Sequence, residues 1–397
     1  MESTLDPMAL MFSADVANDP HAAYERLRTE CPVSRSKFAG NPSVFISRYE
    51  DVLWALRHPH IFSSAGAVEI GNDRPLIPLQ IDPPEHAQYR RVLDREFSPR
   101  RMAELDDDFR ALTNQLIDGF VDRGACDFHD EFSTPLPSTI FLRLMGLPQD
   151  DLGVFLQWRD NIIRPDVAPG DFEGAAAIRE ATGKEMYAYF GAAMDQRDRP
   201  GGHDDGLLCR LMAAEIDGVR LSREQLLDTC YLLIIAGLDT VTATLDCFIT
   251  YLARHPEQRR QVAHSPAMAE AAVEELMRWE TPVMVVPRIV KEEVELGGVR
   301  LEPGDQVTLV LGAANTDDGE FPGAGEVHFD RERNRHLAFG GGPHRCLGSH
   351  LARLELKVAL EEFHRRIPDY ALADGTELHF SPGIRQAEHL PLVFTAA

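Results

Sequence analysis

The sequence predicts a mainly α-helical protein with a small β region, and three observations support this. Helix-start and helix-stop signals recur along most of the 397 residues. A largely apolar stretch over residues 222–254 predicts one helix of about 45 Å, which must run through the middle of the molecule. Strand patterns concentrate between residues 288 and 310. We expect a single domain over residues 1–397, because no linker, repeat or low-complexity block divides the chain.

Capping and proline signals place the individual elements. Asp82 before two prolines and Glu85 predicts a helix start. Ser222 and Gln225 form a capping box that begins the long helix. Gly297-Gly298 predicts a two-residue hairpin turn. Helices are expected at about 20–29, 49–57, 83–97, 101–123, 150–163, 171–197, 205–214, 222–254, 266–281 and 347–365, and further strands at 33–36 and 43–47.

Composition excludes several classes of function. The formal net charge of −24 repels phosphate backbones, so nucleic-acid binding is not expected. The six cysteines form no CxxC pair, which argues against a disulfide framework and a zinc ribbon. The N-terminus lacks the basic segment and apolar core of a signal peptide, and we expect no membrane-spanning segment. The protein is therefore expected in the cytoplasm.

The most informative segment is FGGGPHRCLG, at residues 339–348. Cys346 is expected at a helix N-terminus, where unpaired N–H groups stabilise a thiolate. The glycines before it let the backbone lie close against a flat group. A glycine-rich turn with a buried free cysteine is the simpler alternative. A zinc site of His344, Cys346 and His350 is a further one, but it lacks additional ligands.

This segment resembles the haem-binding loop of the cytochromes P450, and the resemblance extends over nearly the whole chain. It implies a soluble bacterial-type, ferredoxin-dependent haem-thiolate monooxygenase, whose long central helix crosses over a buried haem b. By the resemblance, Cys346 is the proximal ligand of the iron. Phe339, Gly340 and Gly348 are the other cofactor-binding residues implied in the loop.

A second group of residues lies in the long helix, in the run AGLDT at 236–240. A carboxylate among apolar neighbours is costly unless it is paired or solvated. A helix with one outward-facing aspartate would also explain the pattern. The run resembles the acid–alcohol pair of the family, which implies that Thr240 holds activated oxygen by a hydrogen bond. It also implies that Asp239 gates the protons that cleave the O–O bond, and that Ala236 contacts the cofactor.

Glu275 and Arg278 are spaced i,i+3, which by itself indicates an ordinary surface pair. Their distance before the cysteine loop resembles the ExxR motif of the family, whose role is structural. The expected partner is Arg331, and Arg333 is a nearby alternative.

Four further side chains could bind the haem propionates. His86 and Arg90 are spaced i,i+4 in DPPEHAQYR, Arg288 follows an apolar run, and His344 precedes the cysteine by two residues. Each alone is more typical of an ordinary surface cation. Together they fit a ligand with two carboxylates, which charge-assisted hydrogen bonds would hold.

The resemblance also implies how the protein obtains electrons and what it oxidises. The chain carries no flavin or iron–sulfur module, so we expect a monomer that receives electrons from NAD(P)H through a ferredoxin and its reductase. A basic docking patch is one interpretation of the arginines and the lysine on the expected thiolate side, and ordinary solvated helix faces are the other. These residues are Arg90, Arg91, Arg95, Arg100, Arg101, Arg345, Arg353 and Lys357.

The reaction expected is hydroxylation or epoxidation of an apolar substrate, terpenoid, steroid-like or fatty, beneath a loop at residues 65–79. A peroxide-driven enzyme and a haem sensor are the rivals, and the pair Asp239–Thr240 argues against both. The pocket residues implied by position are Leu232, Ile235, Ala236, Thr240, Met284, Val285 and Ile384.

Overall fold

A computed structural model describes residues 6–11, 13–38, 41–68, 70–72, 74–168, 170–202 and 204–395. The helices in these ranges are α1 (Pro7–Met11), α2 (Ala14–Asn18), α3 (His21–Glu30), α4 (Tyr49–Arg57), α5 (Glu85–Glu96), α6 (Pro99–Ala103), α7 (Asp106–Asp118), α8 (Pro135–Met145), α9 (Leu152–Ile163), α10 (Phe172–Arg197), α11 (Leu207–Met212), α12 (Arg223–Leu238), α13 (Thr240–Arg254), α14 (Pro256–His264), α15 (Pro266–Glu280), α16 (Leu311–Asn315) and α17 (Ser349–Arg366). The strands are β1 (Val33–Phe38), β2 (Asn41–Ile46), β3 (Phe62–Ser63), β4 (Ala125–Asp127), β5 (Glu215–Ile216), β6 (Val219–Arg220), β7 (Val285–Val290), β8 (Val294–Leu296), β9 (Val299–Leu301), β10 (Gln306–Val310), β11 (Asp369–Leu372) and β12 (Pro391–Thr395).

These elements form two compact units. The first comprises the described parts of Met1–Ser63, Met102–Leu136 and Thr240–Ala397. The second comprises those of Ser64–Arg101 and Pro137–Asp239. The predominance of helices with small sheets confirms the fold class that the sequence predicts. The single domain predicted over residues 1–397 stays a prediction.

The first unit is built around a five-stranded sheet in the order β1-β2-β10-β7-β3. Strand β10 is parallel to β2 and antiparallel to β7. A three-stranded sheet of β11, β12 and β4 and the hairpin of β8 and β9 complete its β structure. Residues of β2, α4, β10 and α16 bury a common apolar core, which includes Val44, Val52, Leu56, Leu309 and Ala314. This sheet positions Arg288 and the segment that precedes it.

The second unit consists mainly of helices α5 and α8–α12 with the small hairpin of β5 and β6. Aromatic rings from α8, α9 and α10 pack together at its centre. Phe155 contacts Phe141, Trp158 and Tyr189 with centroid separations of 6.2, 5.0 and 5.3 Å. Rings in such edge-on and tilted arrangements add stabilisation beyond the area they bury.

Several predicted elements are confirmed almost to the residue. Helix α10 begins after Asp171, whose side chain accepts a hydrogen bond from Gly174 N. The capping box at Ser222 is present: Ser222 Oγ accepts a hydrogen bond from Gln225 N, and Gln225 Oε1 accepts one from Ser222 N. The hairpin around Gly297-Gly298 pairs Leu296 with Val299.

Other predicted elements were wrong in detail. The helix predicted at 101–123 is divided into α6, α7 and a 3-10 turn at Val121–Arg123. Asp82 does not cap α5, because its Oδ1 accepts from Ser64 N at 2.9 Å and Pro84 occupies the cap position. Helix α8 was not predicted, and its two prolines lie in the first turn, where proline is tolerated.

The helix predicted over residues 222–254 is present as α12 and α13, with a break at Asp239. By length and composition alone, residues 223–254 could span a membrane, since an 18-residue window within them has a mean hydropathy of 1.8, and this is contrary to our expectation. Their most apolar window is 78% buried inside the protein, which is typical of a core helix.

Candidate functional site

Cys346 lies in a hydrogen-bonded turn of the first unit. Its backbone N–H donates to the carbonyl of Phe339 at 2.8 Å, and Gly340 N–H donates to the carbonyl of Leu337 at 2.7 Å. The cysteine is exposed, whereas the other five cysteines of the chain are buried. Burial raises the pKa of the thiols of Cys126 and Cys230 to about 12, so those thiols are protonated at neutral pH. Cys346 is therefore the cysteine placed to act as a ligand.

The glycines of this loop differ in the space around them, so they fulfil different structural roles. A Cβ on Gly342, whose φ is +64°, would lie 2.1 Å from the carbonyl oxygen of Leu56 in α4, so only glycine fits there. Gly340 also has a positive φ, of +67°, and a Cβ at this position would meet only His344 O, at 3.8 Å. Gly342 is therefore needed for packing against α4. Gly340, in contrast, leaves space beside the loop.

The sequence predicted that Cys346 lies at the start of a helix, and this prediction was wrong. Helix α17 starts at Ser349, with Gly348 as its N-cap residue, and a 3-10 turn at Gly342–His344 precedes the cysteine. The thiol therefore lies three residues before the helix, so the turn that contains it determines its position.

Phe339 is held from one side by an arginine. The Arg353 guanidinium carbon lies 4.4 Å from the centre of the Phe339 ring. Arg353 also donates to both carboxylate oxygens of Glu274, at 2.5 and 2.9 Å, and His336 Nε2 lies 3.2 Å from Glu274 Oε2. Burial opposes ionisation of Glu274, but the hydrogen bonds from His336 and Arg353 outweigh it and lower its pKa to about 2. The loop is thus supported by an ionised network on α15 and α17.

Glu275 and Arg278 form a buried ion pair, not the surface contact that their spacing alone indicates. The Arg278 nitrogens lie 2.8 and 3.0 Å from the Glu275 oxygens, and both residues are at most 1% exposed. Arg278 also donates to the carbonyls of Asn315, Ala324 and Glu326 at 2.8–3.0 Å. The pair therefore holds the irregular chain that leads towards the cysteine loop.

Arg331, and not Arg333, completes this network. Arg331 Nε lies 2.9 and 3.1 Å from the two Glu275 oxygens, and Asn334 Nδ2 donates to Glu275 Oε2 at 3.1 Å. Arg333 is exposed. Burial raises the pKa of Glu275, but the hydrogen bonds from Arg278 and Arg331 more than compensate and lower it. A buried charge needs such partners, which explains why the position of Arg331 matters.

Arg288 and His344 are the predicted propionate ligands in the first unit. Arg288 lies on β7, opposite Val307 of β10, and is 8% exposed. Its Nη1 donates to the carbonyl of Pro287 at 2.7 Å. Together with the exposed thiol of Cys346 and the open approach at Gly340, this largely buried cation fits a haem, which offers an iron to a thiolate and carboxylates to a cation.

His86 and Arg90 lie on α5 in the second unit. Burial, and to a smaller extent the charge of Arg90, lower the pKa of His86 to about 4. The environment that the protein itself provides therefore favours the neutral imidazole, and the prediction that His86 binds a propionate stays a prediction. Arg90 pairs with Asp94, Nη2 to Oδ1 at 2.8 Å.

Asp239 is fully buried in the second unit and is paired with Arg164. Arg164 Nη1 and Nη2 lie 2.9 and 2.8 Å from the two carboxylate oxygens, and Arg159 Nε lies 3.9 Å from Oδ1. The sequence indicated that this carboxylate needs a partner, but nothing in it identified Arg164, which follows α9 and lies 75 residues earlier. Asp239 is therefore a buried partner of Arg164 and not an outward-facing surface residue.

The helical backbone is interrupted at Asp239. Its φ and ψ are −109° and −38°, and α13 starts at Thr240, whose carbonyl accepts a hydrogen bond from Thr244 Oγ1 at 2.7 Å. A Cβ on Gly237 would lie 3.1 Å from the Phe141 ring, so the glycine allows α8 to approach closely. The interruption between α12 and α13 therefore lies at Asp239 and Thr240, the acid–alcohol pair that the sequence analysis identified.

The predicted pocket residues differ in accessibility. Leu232 and Ile235 are half-buried and Ala236 is exposed on α12, while Thr240, Val285 and Ile384 are half-buried in the first unit. Met284 is only 1% exposed and packs with Tyr24, Phe45 and Val310 in a core cluster. Its assignment to the pocket was wrong, because the segment before β7 turns this side chain towards α3 and the sheet.

Most of the basic residues predicted to form a docking patch are paired with carboxylates. Arg353 is bound to Glu274, as described above. Arg95 and Arg100 are exposed and have no carboxylate partner among the described residues. The remaining ion pairs are Arg90–Asp94 at 2.8 Å, Arg91–Asp217 at 3.6 Å, Arg101–Glu96 at 3.9 Å and Lys357–Glu361 at 3.9 Å.

Comparison with known proteins agrees with this geometry. The family model described as Cytochrome P450 matches residues 266–366, which include Glu275, Arg278, Arg331 and Cys346. The methyl-branched lipid omega-hydroxylase of Mycobacterium tuberculosis is 32% identical over 395 residues, which cover 94% of this chain and 90% of that protein. The steroid C26-monooxygenase of the same organism is 32% identical over 391 residues, covering 96% and 94%.

A solved structure shows the same fold. The myxobacterial cytochrome P450 CYP267B1, in complex with myristic acid, has a TM-score of 0.88 and 31% sequence identity, and the match covers 98% of this chain and 99% of that one. Relatives that are this similar over almost their whole length share the family, and the chain therefore belongs to the cytochrome P450 family of haem-containing monooxygenases, which act on apolar substrates.

Proposed function

We propose that this protein hydroxylates a lipid or steroid-like substrate with dioxygen, and that Cys346 is the thiolate ligand of its haem. The observation that carries this proposal is the exposed thiol of Cys346, held in a hydrogen-bonded turn while the other cysteines are buried. An accessible thiolate in a fixed turn is the donor that a haem-thiolate centre requires.

The chain's own residues position the cofactor. Arg288, on β7 and paired with Val307 of β10, offers a cation to a propionate, and His344 lies in the turn beside Cys346. Phe339 and Gly340 form the upstream part of the same turn and Gly348 its downstream end, where they would contact the ring. When bound, the haem supplies the oxygen-activating chemistry, and the thiolate favours cleavage of the O–O bond. His86 and Arg90 remain candidates for propionate binding on the strength of the HxxxR motif.

We assign proton delivery to Asp239 and Thr240. A carboxylate can pass a proton between solvent and an active site, and a threonine hydroxyl can both donate and accept a hydrogen bond. Arg164 holds the Asp239 carboxylate at 2.8–2.9 Å. We propose that this contact orients the Asp239 carboxyl group, which passes protons on the Thr240 side.

The names of the relatives support the substrate class. One relative hydroxylates methyl-branched lipids and another oxidises steroids, and the structural neighbour binds myristic acid. In this chain, Leu232, Ile235, Val285 and Ile384 are half-buried apolar side chains. Such side chains favour a substrate of low polarity. Epoxidation remains an alternative outcome for a substrate with a C=C bond.

We further propose that electrons come from NAD(P)H through a separate ferredoxin and its reductase, and that the protein is a cytoplasmic monomer. Arg95 and Arg100, exposed and without carboxylate partners among the described residues, are the best candidates for contact with an acidic ferredoxin.

The experiment that tests the proposal compares two cysteine variants. Cys346→Ser should lose the thiolate signature in the ultraviolet–visible spectrum of the haem protein, whereas Cys126→Ser should keep it. In haem-free protein, iodoacetamide should alkylate Cys346 first, and added haem should protect it. A thiolate spectrum in Cys346→Ser, or alkylation unaffected by haem, would contradict the assignment.

The same protein distinguishes the rival functions. With surrogate ferredoxin and reductase, a panel of fatty acids and steroids should give products that contain one oxygen atom from O₂. Turnover with hydrogen peroxide alone would indicate a peroxygenase. Haem binding without turnover under either condition would indicate a sensor.

A further inference from the structure

A cavity of about 850 Å³ lies within the first unit, between the start of α3, the end of α13, helices α14 and α15, and residues 325–330. Among the described residues that line it, none is assigned above to the haem, to proton delivery or to the substrate pocket. Thr250, in its wall, follows Thr240 by ten residues on α13, which is about 15 Å along a helix. The volume is that of a small-molecule site. We refer to it as the α13–α15 cavity.

The buried part of the wall is aromatic. Tyr251 and Phe329 are each 8% exposed, and Trp279 is half-buried. His21 stacks on Trp279 and His255 stacks on Tyr251, with ring centres 3.6 and 3.9 Å apart. These stacked pairs fix the orientation of the rings before a ligand arrives. The cavity therefore offers rigid aromatic groups, which favour a flat or cationic ligand.

The exposed part of the wall is mainly acidic. Its ionisable side chains among the described residues are Asp19, Arg254, Glu326, His328 and Asp330. The buried Arg385 guanidinium donates to Glu280 Oε2 at 2.7 Å, so the charges of these two lining residues compensate each other. Three carboxylates, which we call the acidic rim (Asp19, Glu326 and Asp330), thus outnumber one arginine and one histidine. The opening therefore favours a cation.

Two polar atoms of lining residues have no hydrogen-bond partner among the residues that the structure describes. They are Thr250 Oγ1 and His21 Nδ1, and Thr250 is 5% exposed. Burial and the charge of Arg385 lower the pKa of His21 to about 3, so this imidazole is neutral near pH 7 and does not repel a cation. A buried polar group without a partner is costly, and a ligand with N–H groups can donate to the threonine hydroxyl.

We propose that the α13–α15 cavity is a second small-molecule site, which binds a planar organic cation of the guanidinium type on an apolar body. A guanidinium stacks on aromatic rings and donates pairs of N–H groups to carboxylates. An anionic ligand would be repelled by the acidic rim, and a purely apolar ligand would leave Thr250 Oγ1 without a partner. The site goes beyond the proposed function, since it requires no contact with the haem or the oxidised substrate.

The cavity adjoins the ion network around Glu275. Trp279 follows Arg278 in the chain, and the carbonyl of Glu326 accepts from Arg278 at 2.8 Å and from Arg331 at 3.3 Å. A ligand that contacts Trp279 and Glu326 therefore binds the folded arrangement of this network and not the unfolded chain. Its binding should raise the thermal midpoint of unfolding in proportion to its affinity.

The test uses the haem-bound full chain and two probes. Benzylguanidinium is the cationic probe, and benzylurea is its neutral counterpart of nearly the same shape. Neither a protonated guanidinium nor a urea is a good ligand of haem iron. Calorimetry measures affinity, hydrogen exchange locates the bound probe, and the visible spectrum reports whether the probe enters the haem pocket.

Four variants accompany the parent protein. Asp330→Asn removes one charge of the acidic rim. Asp374→Asn is its matched control, because Asp374 is an exposed aspartate of the same unit outside the cavity lining. Thr250→Val removes the hydroxyl that has no partner, and Thr250→Ser keeps it.

Benzylguanidinium should bind about tenfold more tightly than benzylurea, and added salt should reduce this difference. Asp330→Asn should weaken benzylguanidinium binding about two- to fivefold and leave benzylurea binding unchanged, because an exposed charge contributes modestly. Thr250→Val should weaken binding of both probes, since both carry N–H donors, whereas Thr250→Ser should not. Residues 250–262 and 325–330 should exchange more slowly with the probe bound, and the haem spectrum should not change.

Several results would overturn the proposal. Equal affinities for the two probes, or no binding at millimolar concentration, would exclude a cation site. Equal affinities of Asp330→Asn and Asp374→Asn for benzylguanidinium would show that the acidic rim does not take part. A changed haem spectrum without slower exchange in residues 250–262 would place the probe in the haem pocket.

Discussion

Arg164 contacts both carboxylate oxygens of Asp239, at 2.9 and 2.8 Å, at the residue where the helical backbone between α12 and α13 is interrupted. The acid is thus fully buried and paired with an arginine, and its side chain has one fixed orientation while the contact persists. Since the break separates the last turn of α12 from the first turn of α13, the backbone on either side of Asp239 is less constrained than a continuous helix.

Asp239→Asn should lower substrate turnover about 10²–10⁴-fold, because an amide cannot take up and release a proton near neutral pH. The spectral shift on substrate binding should persist, and the solvent isotope effect on turnover should rise. Asp246→Asn is the control, since Asp246 is also fully buried, on α13, and is held by His129 and Ser133. Parent-like turnover in Asp239→Asn would remove Asp239 from proton delivery.

Arg331→Ala should destabilise the protein by roughly 2–4 kcal/mol, because it removes a partner from the buried Glu275 carboxylate. Arg333→Ala should change the free energy of unfolding by less than about 0.5 kcal/mol, as expected for an exposed side chain. Denaturant unfolding of the haem-bound variants measures both. Equal effects would mean that the ion network around Glu275 contributes little to stability.

Glu355→Gln should stabilise the protein at neutral pH. Glu355 is 4% exposed on α17, and burial raises its pKa well above the ordinary value. A carboxyl with a higher pKa in the folded state takes up protons on folding, so stability is present at low pH and is lost as pH rises above about 4.3. Glutamine removes this loss, by about 1–3 kcal/mol at pH 7–8.

Denaturant midpoints between pH 4 and pH 8 measure this effect. The difference between Glu355→Gln and the parent should grow with pH and vanish near pH 4. Glu332→Gln, an exposed substitution, should show no such trend. A difference that is constant with pH would mean that Glu355 does not titrate differently in the folded and unfolded states.

Arg95→Glu with Arg100→Glu should slow reduction of the haem by ferredoxin several-fold at low salt, because like charges now face an acidic partner. Reduction by dithionite should not change. Arg254→Glu is the control, since Arg254 is an exposed arginine at the end of α13 and is not one of the residues predicted to form the docking patch. Equal rates with ferredoxin in the variant and the parent would exclude docking at Arg95 and Arg100.

The sequence could predict those features that depend on local patterns. Helix α10, the capping box at Ser222 and the hairpin at Gly297-Gly298 follow from neighbouring residues, and the ten residues around Cys346 identified the family. Partners that are distant in the chain could not be predicted. Arg164 lies 75 residues before Asp239, and Arg74 lies 154 residues before Asp228. The sequence showed only that a buried carboxylate needs a cation, not which one.

Predictions were wrong where a residue that matched a local sequence pattern makes a tertiary contact instead. Asp82 reads as a helix cap but accepts a hydrogen bond from Ser64. Met284 was placed in the pocket by its position after α15, yet the turn before β7 directs it into the core with Tyr24 and Phe45. In each case tertiary packing decided which of two reasonable local arrangements forms.

The partners of Glu275 and Arg278 are all supplied later in the chain, between residues 315 and 334. During synthesis, these two charged side chains therefore leave the ribosome with only each other to pair with. They cannot be buried at low cost until Asn334 has emerged. A nascent chain interrupted before that residue would keep α15 exposed to chaperones and proteases. The loop that we propose to bind the haem follows directly, so the haem would be bound only when translation is nearly complete.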